Sequence, residues 1–131
     1  MGSLEEKGCC DAAVVEAINS GLVNESVARN TMGALERELF NGKGFKRDDD
    51  GDWYDKQERV FIDLRAAGSY LRLGEPERVA ELLDRVKVIS EENFNIIAEL
   101  YDKDDNYAGQ VPMCGCGAGV FVSTSALLKN S

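Results

Sequence analysis

Histidine is absent from all 131 residues of this chain. Its absence removes the commonest general base, the usual zinc ligand and any Ser-His or Cys-His nucleophile pair. Acid–base chemistry must therefore fall to carboxylates, Lys, Tyr or Cys. Positive charge is scarce too: 15 Lys and Arg stand against 24 Asp and Glu, a formal net charge of −9. That balance repels phosphate backbones, so nucleic acid is not an expected partner. It is compatible with a neutral substrate such as a sugar without pointing to one. No apolar run approaches the roughly 18 residues that span a bilayer, so no membrane partner is expected either. The opening "MGSLEEKGCC" lacks the basic and apolar regions of a signal peptide. The four cysteines form two close pairs, Cys9 with Cys10 and Cys114 with Cys116. Neighbours that close bridge poorly within a pair, while a bridge between the pairs stays open. Together these features predict a cytoplasmic chain with reduced thiols.

What is present reads as globular: 44% hydrophobic and 30% charged residues, enough for one domain or part of a larger one. Residues 1–10 are expected to be flexible. A first helix follows Asp11, a plausible N-cap, and stops at Gly21. A second covers Asn24 to Phe40, capped by Asn24 or Ser26, with Val27, Met32, Leu35 and Leu39 as its apolar stripe. Residues 41–56 read as a loop with a tight turn near Gly44 to Lys46. A third helix runs from about Lys56 to Leu73, with so little polar surface that it should be the most enclosed. Gly74 ends it. "EPERVAELLDRV" opens a fourth with Pro76 in its first turn and Val79, Leu82, Leu83 and Val86 buried. A fifth spans Ser90 to Tyr101, with Ser90 as N-cap, and the last covers Gly117 to Leu128, where a strand is the alternative. The expected fold class is therefore all-α, about six helices in antiparallel hairpins.

Several stretches invite chemistry. "RDDDGDWYDKQE" is rich in aspartate, but its register lacks the sixth-position Gly and twelfth-position Glu that an EF-hand needs together. Solvated turn chemistry is the favoured reading. Trp53, the only tryptophan, sits there beside Tyr54. The pair suits sugar stacking or a hydrophobic plug equally well. The cysteine spacings match no structural zinc pattern, so small buried thiols are expected and no metal. "GCGAG" lacks the preceding strand and following Lys of a phosphate loop. In "FNIIAELYD", Glu99 is one carboxylate among apolar neighbours. Such an acid, if enclosed, has its pKa raised and serves as acid or base near neutrality. On pattern alone, an ordinary exposed glutamate is favoured.

"QERVFIDLRAAGSYLRLGEPERVAELLDRV", followed by "NFNIIAELYDKDDNYAGQVPMCGCGAGVFV", resembles the C-terminal part of glycoside hydrolase family 15. That is the glucoamylase-like group, which includes glucodextranases and related trehalases. The resemblance covers roughly residues 11 to 128, with "AELYD" and "VPMCGCGAG" as its best motifs. Glu99 matches the family's catalytic base, with Leu100 where the family often has Gln. Trp53, Tyr54, Asp55, Glu58 and Tyr101 become candidates for sugar contact. The implied fold is about half of an (α/α)6 toroid, so residues 1–131 would form a single partial domain. The implied chemistry is inverting hydrolysis of an oligosaccharide α-glucoside, with no cofactor. The family's general acid lies in an upstream Trp- and Glu-containing segment that this sequence does not contain. The resemblance thus implies a missing N-terminal half or self-association. Two other readings stand beside it: a non-enzymatic helical interaction module, and a carbohydrate-binding remnant.

Overall fold

A computed structural model of the chain describes residues 10–49, 51, 57–108, 113 and 115–131. Near the N-terminus, the Asp11 carboxylate accepts the Ala13 N–H at 2.8 Å and caps a short 3-10 turn, Ala12–Val14. That turn leads into α1, Val15–Asn19. Gly21 ends the segment in the left-handed region, with φ of 70°. Asn24 caps α2, Glu25–Leu39, by accepting the Val27 N–H at 2.9 Å. The buried stripe of α2 is Ala28, Met32, Leu35 and Leu39. Val27, expected in that stripe, is 45% exposed, because Ala28 is the residue at helical spacing from Met32. The turn expected near Gly44 to Lys46 lies slightly earlier. Asn41 Oδ1 accepts the N–H groups of Lys43 and Gly44, both at 3.0 Å, and Phe40 bridges Phe45.

The most enclosed helix is α3, Val60–Arg72, as its composition predicts. Val60, Leu64, Ala66, Ala67 and Tyr70 are all core residues, and α3 packs against α1, α4 and α5. Close approach to α1 is possible at Gly68, where an added Cβ would sit 3.2 Å from Asn19 Oδ1. Full burial contributes about 1.5–3 kcal/mol per large apolar side chain, so α3 is the thermodynamic centre of the chain. After Gly74, α4 runs from Pro76 to Glu92, with Pro76 in its first turn and Val79, Leu82, Leu83, Val86 and Ile89 buried.

A separate helix over Ser90 to Tyr101 does not form. Ser90 lies in the last turn of α4, and the chain then reverses through Phe94 and Asn95, both at positive φ (60° and 58°). The side chain of Asn93 enforces the stop. Its Nδ2 donates to the carbonyls of Ile89 and Asp105, both at 2.8 Å, and its Oδ1 accepts the Tyr107 N–H at 3.1 Å. Beyond it lie short strands rather than helix. β1, Glu58–Arg59, pairs antiparallel with β2, Leu100–Tyr101, which pairs antiparallel with β3, Tyr107–Ala108. The chain is mostly helical with this small three-stranded sheet, and in that respect it departs from the all-α expectation.

The final element, α5, Gly115–Lys129, is a helix and not the alternative strand. Its start lies against the start of α3: a Cβ at Gly117 would meet Ile97 Cγ2 at 3.1 Å and Val60 Cγ1 at 4.0 Å. Thus α3 and α5 begin at the sheet end, and α4 runs back towards it. Among the described residues, no helix is long and apolar enough to cross a membrane.

Candidate functional site

Glu99 lies just before β2, in the bend that leads into the sheet. Its neighbours Ala98 and Leu100 are buried, while the Glu99 side chain is partly exposed. In the β1–β2 register, Arg59 stands opposite Leu100. Its Nη2 donates to Glu99 Oε1 at 3.0 Å, and each of the two side chains is 25% exposed. Among the described residues, Glu99 makes no other hydrogen bond. The result is an oriented, partly exposed carboxylate, with one oxygen held and, among the described residues, the other uncommitted.

Tyr101 supports this segment from beneath. Its phenol oxygen accepts the Ala98 N–H at 3.2 Å and donates to the Ile96 carbonyl at 3.0 Å. The side chain is fully buried, which pushes the phenol pKa up. Tyr101 therefore braces the turn before Glu99, and it has no surface with which to contact a sugar.

Glu58, also expected at a sugar, points into the protein and is 2% exposed. Arg85 on α4 grips it, with Nη2 at 2.6 Å from Oε2 and Nε at 3.3 Å from both oxygens. The same Nη2 lies 2.7 Å from Asp105 Oδ1, and Lys43 Nζ lies 2.9 Å from that oxygen. Arg85 and Lys43 hold the Asp105 pKa below the ordinary carboxylate range. Deeper still is Asp63 on α3, with no exposed surface; its Oδ1 accepts the Phe45 N–H at 2.5 Å. Burial raises the Asp63 carboxyl well above its usual value, and the adjacent Glu58 charge raises it further. Gly44 makes room for the cluster, since a Cβ there would lie 2.5 Å from Glu58 Cγ and Cδ.

Trp53, Tyr54 and Asp55 lie outside the described residues, as do Cys9 and Cys114. Cys116, expected as a buried thiol, is exposed on α5, and Cys10 is half-buried. Among the described residues, no cluster of three or more His, Cys, Asp or Glu side chains could hold a metal ion. A shallow apolar groove of about 300 Å3, lined by Ile96, Ile97, Met113 and Ala118 among others, flanks the segment that precedes Glu99. No family model matches this chain, and no curated protein does.

Sequence reasoning missed Arg59, Asp63, Arg85 and Asp105. One signal was available: Asp63 is the lone acid in the apolar run "VFIDL", where an enclosed helix must take it inside. Arg59 carried no such mark, because its pairing depends on a sheet between positions 40 residues apart.

Proposed function

We propose that the chain is the base-bearing unit of an inverting α-glucosidase of the glucoamylase type, with Glu99 as the general base. The observation that carries this reading is the setting of Glu99: partly open, oriented through Oε1 by Arg59, and two residues beyond Ile97, which lines an apolar groove. In the reaction, the free oxygen of Glu99 takes a proton from water as that water attacks the anomeric carbon. A separate acid, roughly 6.5–9.5 Å away, protonates the leaving oxygen. In this reading the acid comes from a complementary helical unit. The helix arrangement is consistent with part of an (α/α)6 toroid: α3 and α5 start at the same end, with α4 antiparallel between their ends. Trp53, Tyr54 and Asp55 are the sugar contacts of this proposal. Glu58 and Tyr101 act from behind it, as the groups that hold β1 and the Glu99 turn.

The test is sugar binding, because turnover needs the acid. Maltose, isomaltose or trehalose at millimolar concentration should change the fluorescence of Trp53, the sole indole. They should also shift the amide resonances of Arg59 and Glu99. Resonances that stay unmoved by all three sugars would refute the reading. Glu99→Gln should keep binding and abolish turnover in a reconstituted enzyme, and an unchanged kcat would remove the base assignment.

One observation favours a second reading, a helical interaction module. Helix α5 is apolar on nearly every side, yet Val122 is 68% and Leu127 is 57% exposed. A polar or charged residue is the usual occupant of such positions. Capture of a complementary helical protein without any sugar response would select this reading.

A further inference from the structure

We infer that Asp63 and Glu58 share a single proton in the folded chain at neutral pH, and that this proton locks β1 in the register that sets Arg59 against Glu99. The geometry supplies three reasons. First, among the described residues no donor reaches Asp63 Oδ2, a buried oxygen. As a hydroxyl, it would instead donate to the Glu58 carboxylate, and the orphan would become half of a carboxyl–carboxylate hydrogen bond. Second, among the described residues the charges around the pair balance when Asp63 is neutral. Among the described residues, the titratable groups around the pair are Arg85 from α4, Asp105 from the β2–β3 turn, Lys43 from the loop after α2, and the Tyr101 phenol across the β1–β2 register. Arg85 and Lys43 supply two positive charges, and Glu58 and Asp105 supply two negative ones. An ionised Asp63 would leave one uncompensated negative charge where neither carboxyl reaches water. Third, the Phe45 N–H that faces Asp63 engages only Oδ1, which leaves Oδ2 as the oxygen to carry the proton.

The direction of the pH dependence follows. Folding favours the neutral form of Asp63, whose pKa is raised above its ordinary 3.8. Its contribution to stability is complete below that ordinary value and is lost as pH rises through the folded value. Loss of the proton sets two carboxylates against each other beneath β1. Arg59 is the next residue along that strand, so the orientation of Glu99 would loosen with it. The functional meaning of that loosening rests on the proposed role of Glu99; the shared proton does not.

The experiment is a carbon-13 NMR titration of the whole chain with labelled Asp and Glu carboxyls. One Asp signal should remain at the protonated position at pH 7 and vanish in Asp63→Asn. That variant keeps an acceptor for the Phe45 N–H and offers Glu58 a permanent donor. Its urea midpoint should therefore stay level between pH 6 and pH 9, while that of the wild type falls. In Glu58→Gln, the Asp63 signal should titrate at a lower pH than in the wild type. If every Asp carboxyl titrates in the ordinary range, or the two urea profiles run parallel, the inference is overturned. Sugar binding can fail without affecting any of these readouts, so the two proposals stand or fall separately.

Discussion

Substitution of Gly44 by alanine puts the closest approach at any glycine among the described residues under direct strain. The added Cβ would sit 2.5 Å from Glu58 Cγ and Cδ and 2.6 Å from Oε1, where ordinary contact begins at 3.4 Å. Relief needs a movement of roughly 0.9 Å, the difference between 3.4 and 2.5 Å. A surface glutamate would swing aside at little cost. Glu58 has no such freedom, because Arg85 holds it at 2.6 Å and its side chain is enclosed. Overpacking alone costs about 1–3 kcal/mol. Weakening a hydrogen bond between buried charged groups adds about 1.5–3 kcal/mol if the shift is taken there. We expect a net loss of about 3 kcal/mol, which is about 10 °C in Tm for a chain of this length. Urea unfolding followed by circular dichroism would measure it. Gly42→Ala is the matched control: its φ is 91°, but nothing lies within 4 Å of the added atom, so only backbone strain of about 1 kcal/mol applies. In a Glu58→Ala background, the excess cost of Gly44→Ala should disappear. Equal losses for Gly44→Ala and Gly42→Ala would show that the collision is not what limits this position.

Asp105 should produce the opposite pH dependence to Asp63. Its pKa is lowered, so its contribution is present above the ordinary 3.8 and is lost as pH falls through the folded value. Asp105→Asn should therefore be less stable than the wild type at pH 7, with the gap closing below about pH 4; a gap that is constant with pH would refute the pairing with Arg85 and Lys43. The exposed apolar positions of α5 should drive self-association in the isolated chain. Val122→Glu with Leu127→Lys should lower the mass found by light scattering after size exclusion, and a wild-type chain that is monomeric at high concentration would count against an incomplete helical layer.

The legible part of the fold was its helical periodicity. Caps and stops at Asp11, Asn24, Gly74 and Pro76 are local devices, and each occurs where the sequence places it. The enclosed character of α3 was equally readable from its lack of a polar face. The failures came where distant residues decide. "SEENFNIIAEL" has helical spacing, but Asn93 finds the carbonyl of Asp105 and the N–H of Tyr107, and those bonds end α4 early. The sheet is of the same kind, since strands of two residues are too short to leave an alternating pattern. Glu99 was identified from a resemblance, and its arginine partner only from the fold. Glu58 was a candidate for sugar contact, and nothing local announced that Arg85, 27 residues on, would draw it inside.

The three hydrogen bonds of the Asn93 carboxamide close the Glu99 segment at its base, between the end of α4 and β3. The intervening chain is therefore a clasped loop, whose ends stay together whatever its middle does. Closure entropy grows only slowly with length, by about 0.6 kcal/mol per doubling. The tip around Asp104 can then accept extra residues without moving the clasp. Conversion of Asn93 to aspartate removes the donor and sets an acceptor against two carbonyl oxygens, so it would loosen the clasp while the β2–β3 pairing and the Asp105 ion pairs remain.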